Sequence, residues 1–405
     1  MSNRVVVTGY GVITPFGPGT ARFAETLYQG KHAFKDITSI DTTNSYAKRG
    51  GETDMQPRTY RDFAAYCTDA ALEMAGLDRE RHASLLRGAV VAVGNLGDGA
   101  ELEAFYREQT QPEQQSQAEL ARDGQEGGRL AVLERNPFSH ADDIGERIGS
   151  QMPKVSFTNA CIASANAIGY AYDQLKKGRA SCALAGGLNV LHPLVFYNFD
   201  SSRAMADDVV RPFSQGRTGL LIGDGAAMLV LETMESALKR GARPIAELVG
   251  WGISSDGHHV TQPDPTGNGL ARSMRMALNR AGISPEEVDY INAHGTGTPL
   301  NDRGETKAMK QVFGSHMADI PVSSTKSMTG HMLEATGAVE AVISLEALQR
   351  NLIPPTANYL GAEEGLDLDY VVEGARSKEL HTVMSNSSAF GGNNCTLIFR
   401  KLREG

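Results

Sequence analysis

Apolar positions along the chain fall into two kinds of segment that alternate. Arg4–Gly9, Gly88–Gly94, Ala183–Val190 and Ala226–Glu232 are short runs of β-branched or small residues, most of them bounded by glycine. That is the pattern of strands buried on both faces. Between them, Phe63–Gly76 puts Phe63, Cys67, Ala70, Ala71 and Met74 on one face and stops at glycine, which predicts an amphipathic helix. Cys161–Lys177 is apolar nearly all round and ends before Gly178, which predicts a buried helix. The second half repeats the alternation: a strand over Ile245–Ile253, a helix over Gly269–Gly282, a strand over Val288–Ala293, helices over Asp302–Gly314 and Glu334–Asn351, and closing strands over Thr382–Ser387 and Thr396–Lys401. Such a chain folds as α/β, with helix layers around largely buried sheets. Two similar halves, 1–240 and 241–405, are expected, although the sequences of the halves are too unlike to establish a duplication.

Composition narrows the function classes. With 39 basic and 48 acidic residues the net charge is −9, and this balance argues against a nucleic-acid partner while leaving room for a small basic patch that docks an acidic protein. No run approaches the ~20 apolar residues of a membrane span. The first residues lead straight into Val5-Val6-Val7, which leaves no room for a signal peptide. Cys67, Cys161, Cys182 and Cys395 show no metal-ligand spacing. A reducing, cytoplasmic setting without a metal is the expectation. Arg107–Gly128, rich in Gln, Glu, Asp and Gly, reads as a solvated surface excursion, with a partner-contacting flap as the alternative.

Four places carry candidate chemistry, each where a strand or helix begins or ends. Cys161 follows a strand-like stretch and opens the apolar helix, where the helix macrodipole favours a thiolate; a buried cysteine acting as a small hydrophobe is the plainer alternative. His294 stands in Asn292-Ala293-His294-Gly295-Thr296-Gly297-Thr298, just past a strand. Lys326 lies among hydroxyls five residues before His331, which opens another helix, a position that biases imidazole toward its neutral, hydrogen-bond-donating form. Asn386–Asn394 holds a Gly391-Gly392 pair after a strand, suited to close backbone approach to a ligand.

Together these stretches resemble the β-ketoacyl-acyl-carrier-protein synthases of the thiolase superfamily, most nearly the synthase II type. The likeness runs nearly end to end, and NAHGTGTPLND, SSTKSMTGH and NSSAFGGNN, in that order after a helix-start cysteine, carry it. The resemblance implies a five-layered α/β/α/β/α arrangement of two similar halves, normally dimeric. It implies that Cys161 takes an acyl chain from phosphopantetheine as a thioester, and that His294 and His331 act on a malonyl thioester. Lys326 would order the site with Glu305 as its acidic companion. Phe390 would gate the site and form an oxyanion hole with Cys161 through their backbone N–H groups, while Thr296 and Thr298 would hold the pantetheine arm. Arg58 and Arg61 fall where the family docks its acidic acyl-carrier protein. No cofactor is implied beyond the phosphopantetheine that carries the substrates. The partner subunit would be a second copy or a related ketosynthase or chain-length-factor chain, and a non-catalytic chain-length-factor role for this chain is disfavoured by Cys161. Departures such as Asn159 before the nucleophile, Ser388-Ala389 before Phe390, and Asn393 where threonine is usual leave the acyl preference and the gate motion open, so that a specialised synthase of a polyene or polyketide pathway is as reasonable an expectation as a housekeeping fatty-acid enzyme.

Overall fold

The structure, a computed structural model, describes residues 4–97, 99 and 139–402. The polar stretch Arg107–Gly128 lies outside the described residues. The first half contributes β1 (Val5–Thr14), β2 (Val90–Gly94), β3 (Lys154–Phe157), β4 (Cys182–Asn189) and β5 (Gly225–Thr233). The second contributes β6 (Ala246–Ser255), β7 (Tyr290–Asn292), β8 (Val322–Ser323), β9 (Thr382–Ser388) and β10 (Asn393–Arg400). These lie in the order β3-β2-β4-β5-β1 and β8-β7-β9-β10-β6. Each half therefore places its strands third, second, fourth, fifth, first. The pairing signs also match: parallel along β3-β2-β4 and β8-β7-β9, antiparallel along β4-β5-β1 and β9-β10-β6. The same strand order and the same pairing signs therefore occur twice along the chain. The two rows join where Val5–Val7 of β1 pair antiparallel with Ala246–Leu248 of β6.

Successive strand residues face opposite sides, and the cores divide accordingly. Val91, Val93, Leu184, Met228 and Val230 face outward with Phe63, Cys67, Ala71 and Ile144 of α2 (Tyr60–Ala75) and α3 (Ser139–Ile148). Their neighbours Val90, Ala92, Ala183, Ala185 and Leu229 face α4 (Ala163–Lys176) and α8 (Thr336–Arg350). On the other row, Ile291, Met384 and Ile398 pack against α6 (Asn268–Ala281) and α7 (Pro299–Phe313). Helices thus form an outer, a central and a second outer layer around two rows of strands, the five-layered architecture expected. α1 (Thr20–Tyr28), α3 and α5 (Pro193–Ser201) are helices that the apolar pattern did not announce. Among the described residues no helix is long and apolar enough to cross a membrane.

Both halves use the same device to bring an outer helix onto the sheet. A Cβ on Gly9 or Gly11 of β1 would lie 2.3 and 2.2 Å from the Ala71 and Cys67 carbonyl oxygens of α2, and one on Gly250 or Gly252 of β6 would lie 2.4 and 2.0 Å from those of Ala277 and Ser273 of α6. Only glycine permits that approach.

One expectation is corrected by this architecture. Arg58 is not a free surface cation. Its guanidinium lies 3.1 Å from Glu52 and 2.9 Å from Asp224, with both carboxylates buried, and it donates to the Leu191 carbonyl at 2.7 Å. Glu52 also accepts from the backbone N–H groups of Thr38 and Ser39, and Asp224 from those of Thr53 and Leu191. Arg58 ties together the loops that carry Glu52, Leu191 and Asp224, and its charge faces two buried carboxylates rather than solvent. Arg61, one turn on, is half exposed and 3.5 Å from Asp143.

Candidate active site

Cys161 sits in a single 3₁₀ turn, Ala160–Ile162, between β3 and α4. Ala160 takes φ of +56°, a left-handed value that a non-glycine residue adopts only when its surroundings impose it. The α-helix proper starts two residues after the cysteine, so the thiol faces the N-terminus of α4 rather than belonging to its first turn. Lys326, in the turn after β8, and His331 behind it occupy the place in the second half that Cys161 occupies in the first. Ser164 Oγ of α4 accepts from the Ala338 N–H of α8 at 2.9 Å, which locks the starts of the two central helices together and so brings the two motifs to one point.

Cys161, His294, His331, Thr296, Thr298 and Phe390 line one cavity of about 300 Å³. The two imidazole rings meet edge to face with centroids 5.2 Å apart. His331 Nδ1 accepts the Leu333 backbone N–H at 3.1 Å and contacts Thr336 Oγ1 at 2.9 Å. An Nδ1 that accepts must be unprotonated, so the neutral ring carries its proton on Nε2 as a donor. Burial, followed by the charge of Lys326, holds both rings well below the usual histidine range. They are therefore neutral donors across the physiological range. The Thr296 and Thr298 hydroxyls meet at 2.8 Å.

Lys326 is fully buried, and its Nζ lies 2.5 Å from Glu340 Oε1. Its acidic partner is therefore Glu340, not Glu305 as the resemblance implied. Glu305 accepts instead from the His294 and Gly295 N–H groups, both at 2.8 Å, and fixes the loop that presents the first histidine. Burial pushes both carboxyls up to about 7, and Lys326 pulls each back down. Glu340 was missed because it lies inside an all-buried helix, where nothing in the local sequence distinguishes it. Burial also pushes the Cys161 thiol up to about 12, and Glu334 adds to the rise. Lys326 and the backbone N–H groups of Cys161 and Phe390 oppose it.

Phe390 stacks on Phe199 of α5, centroids 5.4 Å apart. Behind this pair lies a second cavity of about 650 Å³, which shares Cys161, Phe199 and Phe390 with the first and is walled by Leu96, Leu194, Val195, Tyr197, Leu333 and Glu334. Glu334 was not singled out from sequence, since an acid at a predicted helix start is ordinary.

The comparisons with known proteins agree with this geometry. Family models for the β-ketoacyl synthase N-terminal and C-terminal domains match residues 55–237 and 245–360. The chain is 36% identical to 3-oxoacyl-[acyl-carrier-protein] synthase 2 of Synechocystis sp., over 98% of each chain. It is also 36% identical to a putative polyketide β-ketoacyl synthase 1 of Streptomyces halstedii, covering 97% of this chain and 96% of the relative. Among solved structures it superposes on the ishigamide ketosynthase/chain length factor with a TM-score of 0.90 and 32% identity, over the whole of both chains. It superposes equally well, with TM-score 0.91 and 30% identity over 99% of this chain and 100% of that one, on a type II PKS acyl-carrier protein in complex with its ketosynthase bound to the hexaketide. The chain belongs to the β-ketoacyl synthase family.

A prediction follows from the charge beside the sulfur. Glu334, raised to about 7 by burial, carries its charge only above that pH, and the charge opposes thiolate formation at Cys161. Glu334→Gln should therefore speed alkylation of Cys161 by iodoacetamide at pH 8 by about fivefold, the effect of about 1 kcal/mol of charge repulsion. The difference should vanish at pH 6, where both carboxyl and amide are neutral. Equal rates at pH 8 would show that the carboxyl does not act on the thiol.

Proposed function

We propose that this protein is a β-ketoacyl-acyl-carrier-protein synthase that joins a Cys161-bound acyl chain to malonyl-acyl-carrier protein by decarboxylative Claisen condensation. The observation that carries the reading is the convergence of Cys161, His294 and His331 on one cavity that Phe390 also lines, and the backbone N–H groups of Phe390 and Cys161 are the pair assigned to the oxyanion. In the first step the Cys161 sulfur attacks the acyl carbonyl, the C–S bond to pantetheine breaks, and the thiol proton leaves with the pantetheine sulfur. Thioester exchange of this kind is nearly balanced and needs no metal. The malonyl thioester then enters beside the imidazoles. As its carboxylate leaves as carbon dioxide, the bonding pair becomes an enolate whose oxygen takes hydrogen bonds from the two neutral rings. The enolate carbon attacks the Cys161 thioester, the tetrahedral oxygen is held by the two backbone N–H groups, and the thiolate departs and regains a proton. Each neutral donor placed at a developing oxyanion is worth about 3–4 kcal/mol.

Burial, together with the charge of Lys326 held by Glu340, keeps both imidazoles neutral, and Glu305 sets the His294 loop. Thr296 and Thr298, at the walls of the first cavity, suit the polar atoms of a pantetheine arm. Phe390 and Phe199 stand between the two cavities as the gate to the acyl chain. The acyl cavity is edged by the exposed side chains of Leu96, Leu194 and Tyr197, which fits cover by a second subunit, either another copy or a related ketosynthase or chain-length-factor chain. The division at residue 240 into a half with the nucleophile and a half with the histidines and lysine belongs to the same reading. So does a cytoplasmic setting, which suits four cysteines kept as free thiols.

Cys161→Ala should abolish both the covalent acyl adduct and condensation, while His294→Ala should leave the adduct and slow malonyl decarboxylation by about 10²–10³-fold. Product formation by Cys161→Ala would end the reading. Carrier docking now rests on Arg61 alone, whose exposed cation suits an acidic partner. Arg61→Glu should raise KM for carrier-bound substrate and spare a pantetheine thioester; equal effects on both would remove the docking role.

A further inference from the structure

The second cavity is apolar in all but a few side chains, and one of these, Glu334, has so far been considered only for its effect on the Cys161 thiol. Glu334 is 4% exposed, and its Oε2 has no hydrogen-bond partner. It lines the second cavity next to Cys161 and is absent from the walls of the first, where malonyl would sit beside the histidines. Its position is imposed by the backbone. Leu333, the residue before it, takes φ of +43°, and the same turn delivers the Leu333 N–H to His331 Nδ1. The strain of that turn is therefore tied to the catalytic ring at one residue and to the acyl cavity at the next.

A buried carboxyl oxygen without a partner is costly. An alkyl chain filling the cavity would leave it unpaired and would exclude the water that could otherwise serve it. A chain bearing an oxygen near its thioester would satisfy it. The group suits either kind of oxygen, because a carboxyl raised toward neutrality by burial can donate to a carbonyl when protonated and accept from a hydroxyl when ionised. Sites built to hydrogen-bond a polar group reject the analogue lacking it far more strongly than apolar pockets reject an extra methylene.

We propose that Glu334 is the specificity-determining residue of the acyl cavity, hydrogen-bonding an oxygen at the third carbon of the Cys161-bound chain, so that 3-oxoacyl and 3-hydroxyacyl units are taken in preference to saturated ones. This rests on the reading of Cys161 as the acyl-accepting nucleophile. The substrate class is thus an unreduced or half-reduced chain, the product of a condensing enzyme or of a ketoreductase rather than of a complete reductive cycle.

The test is the rate at which the purified full-length protein acquires a covalent adduct on Cys161, followed by mass spectrometry, from 3-hydroxybutyryl-pantetheine and from butyryl-pantetheine at equal concentration. The wild-type protein should label faster with the hydroxylated chain. Glu334→Leu should lower the ratio of the two rates by about tenfold, and Glu334→Gln, which keeps hydrogen-bonding capacity, should restore most of it. Because the ratio is read, any general change in Cys161 reactivity cancels. Equal labelling of the wild-type protein by the two thioesters, or a ratio unmoved in Glu334→Leu, overturns the proposal and leaves the acyl-accepting role of Cys161 standing. Failure of both thioesters to label the wild-type protein overturns that role and the proposal together.

Discussion

A single buried positive charge organises this site. Lys326 is fully buried, and its ionic partner among the described residues is Glu340. An ion this deep costs several kcal/mol to bury, and it is tolerated because its charge is shared among groups that respond to it. It draws the Glu340 and Glu305 carboxyls down, presses both imidazoles toward the neutral form and opposes the rise of the Cys161 thiol. A site that must stabilise an enolate without protonating it needs donors that are not acids, and neutral rings beside a fixed cation meet that need.

The fold brings these groups together by using one topology twice. Each half ends its third strand in a turn that leads into a central helix, and the two central helices meet at their starts through Ser164 and Ala338. The turn of one half therefore delivers Cys161, and that of the other Lys326 and His331, to the same point. The hairpin between β9 and β10 closes the site with Phe390, and the loop after β7 adds His294. Two cavities meet at the sulfur, with Phe390 and Phe199 between them.

Much of this was legible in the chain. Short apolar runs located most of the strands but not the two-residue β8, and the helix-start cysteine, the two histidines, the lysine and the glycine pair all lie at element ends, where turn chemistry is visible locally. Partnerships between distant residues were not legible. Glu305 stands close to His294 in sequence and was assigned to Lys326, yet its carboxylate is taken by two backbone N–H groups, and the lysine reaches an acid inside a helix buried all round. Arg58 displayed its charge but not its burial, since Glu52 and Asp224 meet it only through folding. Glu334 looked like any acid at a helix start. The repetition of topology left little trace beyond pattern because it lies in strand order and in the glycines of β1 and β6 that admit an outer helix, rather than in the side chains.

The central claim is that the two imidazoles facing the sulfur are neutral donors, and the protonation state of those rings tests it most directly. In the full-length protein labelled with [¹⁵N]histidine, ring resonances assigned by their loss in His294→Asn and His331→Asn should keep the nitrogen shifts of neutral imidazole from pH 8 down to about 5.5, a full unit below the ordinary histidine midpoint. His331 should show its proton on Nε2. Titration of either ring with a midpoint near that of a free histidine would contradict the account.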